Sequence, residues 1–129
     1  MTRHLDATLF DSPQVSRALR EFILQSRRTR LRILVKDPEP AVKRGHRLIE
    51  LVQRLSSYAE IRVPALEFSN YNAAFVVVDA RGVVHRGLAD RYEATVCFSD
   101  PGLAGECLRQ FDDMWESARQ DPSLRRVHL

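Results

Sequence analysis

The residues able to do chemistry crowd into one stretch. Asn72 stands ahead of the apolar run Ala74–Val78, Asp79 ends that run, and His85, Arg86, Asp90, Arg91 and Glu93 follow. A histidine beside a carboxylate can take up and return a proton, so His85 with Asp79 or Asp90 is a candidate acid/base pair. Arg86 and Arg91 could hold an anion through charge-assisted hydrogen bonds. No activated nucleophile, metal-ligand set or Gly-rich phosphate loop accompanies them in the sequence. Arg86, Asp90, Arg91 and Glu93 therefore read first as an ion-pair network closing a hairpin onto the next strand, and second as a ligand site.

Other candidates are weaker. His46 in "KRGHRLIE" lies four residues before Glu50 and reads as an exposed pair near a helix start. Asp112 and Asp113 are adjacent, and neighbours on a helix point apart, which suits neither a metal nor a shared proton. Phe111 and Trp115, one helical turn apart, are core anchors before they are base-stacking platforms. Cys97 and Cys107 have no CxxC spacing and read as buried thiols in a reducing compartment.

The elements that position these residues follow from periodicity and punctuation. In "DSPQVSRALREFILQSRR", Asp11 or Ser12 can cap a helix with Pro13 at its first position, and apolar residues recur at helical spacing. "LRILVKD" reads as a buried strand. "PAVKRGHRLIELVQRLSS" reads as one helix, and "AEIRVPAL" as a short strand ended by Pro64. After the loop "ALEFSNYN", Ala74–Val78, the turn "DARG" and "VVHRG" make a β-hairpin in which Gly82 is expected to take positive φ. "EATVCF" is a further strand, and "SDPGLAGECLRQFDDMWESARQ" a long capped helix. Alternation in the first half predicts right-handed crossovers, giving an α/β fold with a mixed, mostly parallel sheet and helices on both faces. One domain spans 1–129, with 1–10 a flanking lead and 121–129 a tail.

Composition narrows the classes. The chain has 129 residues, 44% hydrophobic, enough to bury a core without disulfides or metals. Its net charge of +3 is too small to argue nucleic-acid binding from bulk electrostatics. The arginines do cluster, in "SRRTRLR", in "KRGHR" and at Arg81, Arg86 and Arg91, either as an anion-facing patch or as solvated helix ends. No signal peptide or membrane-length apolar run is present, so the expected location is the cytoplasm.

The order of elements, a strand ending in Asp79 and the final helix with "FDDMW" resemble one half of a phospholipase D-like domain. That superfamily carries His-x-Lys-x-x-x-x-Asp on a strand, followed by Gly-Ser-x-Asn. Here Asp79 matches the aspartate, Asn72 stands at the histidine and Ala74 at the lysine. Gly87 comes one position late, with Asp90 at the asparagine. The resemblance implies a histidine nucleophile and a phosphate-stabilising lysine, and neither is present. "ILVKDPEPAVKRGHRLIELVQRLSS", "VHRGLADRYEA" and "FDDMWESARQDPSLRRVHL" are also similar to a bacterial domain without assigned activity, found alone or C-terminal to GNAT-type acyltransferases.

The expectation is a non-catalytic binding, regulatory or assembly module with no metal and no cofactor. Asn72, Asp79, His85, Arg86, Asp90 and Arg91 edge its vestigial phosphate cleft. The alternatives are an enzyme using His85 with Asp79 or Asp90, and a structural partner of an acyltransferase. The ligand would be anionic and phosphate-bearing, or a nucleic acid, and an open cleft would favour it. A cleft filled by Phe68, Tyr71 or Tyr92 would favour a structural role. A half domain is also expected to homodimerise, here through the sheet edge and the loop "EFSNYN", and not to insert into a membrane.

Overall fold

The helices start where their caps place them. In the computed structural model, which describes residues 1–5, 10–86 and 94–124, helix α1 is Pro13–Leu24. The Val15 N–H donates to Ser12 Oγ at 3.1 Å, and Pro13 takes the first turn, where a missing N–H costs nothing. Strand β1, Leu31–Leu34, runs parallel to β2, Ala59–Arg62, with Ile33 opposite Ile61. Two helices lie between them: α2, Glu39–Arg44, and α3, Arg47–Arg54. The single helix expected over this segment is broken at Gly45, whose φ of +75° suits glycine, and α3 restarts from His46.

A 3₁₀ turn at Leu66–Phe68 leads to β3, Ala74–Val78, which pairs antiparallel with β4, Gly82–Arg86; β4 pairs antiparallel with β5, Thr95–Cys97. Helix α4, Pro101–Ser117, follows, capped by Asp100 Oδ1 accepting from the Leu103 N–H at 3.0 Å. The β3–β4 turn does not use glycine as expected. Asp79 and Ala80 carry its positive φ values, 53° and 54°, and the Arg81 N–H donates to the Val78 carbonyl, the φ pattern of a type I′ turn.

The fold is therefore mixed α/β, with one parallel strand pair and two antiparallel ones. Parallel pairing does not predominate among the described strands, because the hairpin and β5 outnumber the single crossover. Residues 1–5 are not a loose lead, because they join the two sheets. The Thr2 N–H donates to the Leu34 carbonyl and the Lys36 N–H to the Thr2 carbonyl, while Met1 and Phe75 exchange both bonds. The strand order becomes β2–β1–(Met1, Thr2)–β3–β4–β5. At the other end, Pro122–Leu124 form a 3₁₀ turn with Leu124 buried in the core, so this part of the tail is also integrated.

Side chains alternate across this sheet. Ile33, Val35, Ile61 and Val63 pack with Ile23 of α1, Ala41 of α2 and Leu48 of α3. On the opposite face, Leu34, Phe75 and Val83 pack with Ala104, Cys107, Phe111 and Met114 of α4. Helices thus cover both faces of the parallel half, and α4 covers one face of the antiparallel half. No helix among the described residues is long and apolar enough to cross a membrane.

Candidate functional site

The register of the hairpin separates the expected site residues. Asp79 sits exposed in the turn, while His85 pairs across from Phe75 near the open end. Three strand residues, Val76 to Val78, lie between Phe75 and Asp79, so four steps of the usual rise, about 13 Å, part the two. The two do not meet as an acid/base pair. The His85 ring instead stacks on Phe75, with centroids 6.5 Å apart and planes 8° apart. Asn72 is exposed ahead of β3, near the end where Ala74 pairs with Arg86. Asp90, Arg91, Tyr92 and Glu93 lie outside the described residues.

Several arginines are turned onto partners of their own. Arg30 donates to the Arg27 and Thr29 carbonyls, both at 2.8 Å. Arg32 pairs with Asp112 at 2.8 Å and lies over the Phe111 ring, while Arg62 lies 4.2 Å from the Trp115 ring centroid. Arg47 pairs with Asp11 at 3.2 Å, and its backbone N–H helps hold the Asp11 carboxyl below its ordinary pKa. Among the described residues no group of three or more His, Cys, Asp or Glu side chains is placed to hold a metal ion.

Phe68 and Tyr71 of the loop after β2 pack inward against the α4 cluster. The Tyr71 hydroxyl donates to Gln110 Oε1 at 2.7 Å, and burial pushes its pKa up to about 12. Lys36 Nζ ties the same loop down by donating to the Ser69 and Tyr71 carbonyls at 2.8 and 2.6 Å.

Three features were not read from the sequence. His46 is buried, not exposed: its Nδ1 accepts from the Leu48 N–H at 3.1 Å, capping α3, and its Nε2 bonds the Leu5 carbonyl at 3.0 Å. The second feature is a cleft of about 350 Å³ between β1 and β3, reaching from Met1 to Asp79 and Ala80. Among the described residues, Asp79 is the one expected site residue on its wall. The third is the uncovered face of the antiparallel sheet, where Val76 (44% exposed), Val78 (50%), Val84 (39%), Val96 (56%) and Phe98 (90%) stand together. The unbroken apolar run "AFVVV" was a signal for it, since a strand with one wet face alternates and this one does not. Cys97 is half-buried, whereas Cys107 is buried, and burial raises its thiol pKa.

No curated protein and no solved structure matches this chain. Residues 1–127 match the profile of DUF7931, a domain of unknown function, and the chain accordingly belongs to that family.

Proposed function

We propose that the domain is a non-catalytic assembly module of phospholipase D-like descent that pairs with a second copy of itself through the uncovered face of its antiparallel sheet. The carrying observation is the row of exposed apolar side chains, Val76, Val78, Val84, Val96 and Phe98. Soluble chains rarely leave such a contiguous patch in water without an occupant. Arg86 is the one charged residue at the described strand positions of this face, so two copies can meet there with little like-charge repulsion. The occupied loop pockets of Phe68 and Tyr71 make the valine face a better dimer surface than the loop "EFSNYN". Phospholipase D-like descent is supported by the aspartate ending β3. Lack of catalysis is supported by Asn72 and Ala74 at the positions of the reactive pair and by the separation of Asp79 from His85.

Light scattering at micromolar concentration tests the pairing. The expected mass is twice 14.8 kDa, returning to 14.8 kDa in the double variant Val96→Glu, Phe98→Glu. A wild-type mass of 14.8 kDa would overturn it. Hydrolysis of bis-p-nitrophenyl phosphate that is lost in His85→Ala would overturn the non-catalytic part.

A further inference from the structure

The helices on the two faces of the sheet carry opposite charge. Residues 13–30, 39–44 and 47–54, which hold α1 to α3 on one face, contain nine Lys and Arg against three Asp and Glu. Helix α4, on the other face, contains one Arg against four acids. The net charge of +3 hides this split, and the field it makes draws anions to the α1–α3 side.

On that side a groove of about 210 Å³ runs between α1 and α3. Ser16 and Arg20, one turn apart on α1, line it together with Arg47, Glu50 and Arg54, which share a stripe of α3 at i, i+3 and i+7. Arg47 is neutralised by Asp11 at 3.2 Å. Arg20 and Arg54 are not, since neither has an ion-pair or hydrogen-bond partner among the described residues. Glu50 precedes Arg54 by four positions, the favourable order for a helical pair, yet no bond joins them. Two guanidinium groups from different helices thus share one groove without a paired carboxylate, and an anion held by both offsets their repulsion. The volume lies below the range of about 300–1,000 Å³ that serves drug-sized ligands, and suits one charged group on a short carrier.

We propose that this groove binds a phosphate monoester on a small hydroxylated carrier. Arg20 and Arg54 hold the phosphate through charge-assisted N–H bonds, to which the planar guanidinium is suited, and the Ser16 hydroxyl donates to it. Glu50 would repel a phosphate laid against it, so it faces the carrier and accepts from its hydroxyls. Every polar residue of the site belongs to α1 or α3, so the site is distinct from the valine face and does not rest on the pairing proposed there.

Titration of glycerol 3-phosphate into the ¹⁵N-labelled full chain at low salt tests it. Saturable shifts are expected at the Ser16, Arg20, Glu50 and Arg54 amides, and none with glycerol. In the double variant Arg20→Gln, Arg54→Gln affinity should fall about tenfold or more. The double variant Arg17→Gln, Arg28→Gln removes the same charge from exposed positions of the same layer and should lose less than about threefold. Equal losses in the two double variants would overturn the site, because the ligand would then be reading only the field of the basic face. Absence of saturable shifts would overturn it as well. Glu50→Gln should tighten binding of inorganic phosphate and reduce the preference for glycerol 3-phosphate over it; an unchanged preference would overturn the part assigned to the carrier. Binding to phosphatidylcholine vesicles that contain phosphatidic acid, with no response to glycerol 3-phosphate, would assign the phosphate to a lipid headgroup and overturn the small carrier.

Discussion

The two halves of the sheet are built on opposite terms. In the parallel half, β1 and β2 lie between helices on both faces, and Ile33, Leu34, Ile61 and Val63 are all buried. In the antiparallel half, β3 to β5 bury Phe75 and Val83 against α4 and leave Val76, Val84 and Val96 to solvent. Both halves are written in the same aliphatic residues. Composition therefore decides that a strand forms, while the number of helices the topology supplies decides whether its second face is part of the core or is left to solvent.

The largest expected effect sits in the two-sided half. Ile61→Ala should cost about 2–5 kcal/mol in urea unfolding, through lost burial and the cavity left behind. Val84→Ala on the open face should change the unfolding of a dissociated chain by less than about 0.5 kcal/mol. Equal losses at the two positions would mean that the valine face is already covered within one chain, and the comparison would fail.

His46 is a polar anchor of the two-sided half. His46→Ala removes the α3 cap and the bond to Leu5, with an expected loss of about 1–3 kcal/mol. His46→Asn keeps an acceptor for the Leu48 N–H and should lose less. A similar loss in both variants would assign the effect to the Leu5 contact alone.

The junction between the halves carries a pH signature. Burial lowers the Met1 α-amine from its ordinary 8.0 to about 5. Between those values the unfolded chain holds the proton more tightly than the folded one. The contribution to stability is therefore complete above pH 8.0, declines as pH falls toward about 5 and is level below it. Acetylating the amine should flatten that slope in denaturant titrations, and a slope unchanged by acetylation would place the titrating group elsewhere.

The smallest effect lies in the β3–β4 turn. Ala80, at φ 54°, occupies the left-handed region that costs an L-residue with a Cβ about 1 kcal/mol. Ala80→Gly should stabilise the chain by up to about that amount in thermal unfolding. Destabilisation would show that the turn's positive φ is not a strained feature of the one-sided half.

Local signals were legible in the sequence. Asp11 or Ser12 with Pro13, and the opening of "SDPGLAGECLRQFDDMWESARQ", marked two helix starts, and the strands around Ile33, Ile61 and Val76 fell where their aliphatic runs placed them. Caps and periodicity act within a few residues, so a linear reading can see them. The break at Gly45 was less visible, because the apolar pattern continues through it. Of the candidate site, the residue types Asn72 and Ala74 at the head of β3 were also readable, since residue type needs no structure.

Tertiary structure decided the rest through contacts distant in the chain. Met1 bonds Phe75 across 74 positions, and His46 bonds Leu5 across 41. No local propensity encodes such pairs; they form because an unpaired main-chain or ring polar group, once enclosed by the two cores, must find a partner inside the protein. The same physics sets Asp79 and His85 apart, because hairpin register follows from the turn and the ladder bonds and not from the chemistry the two side chains could perform together.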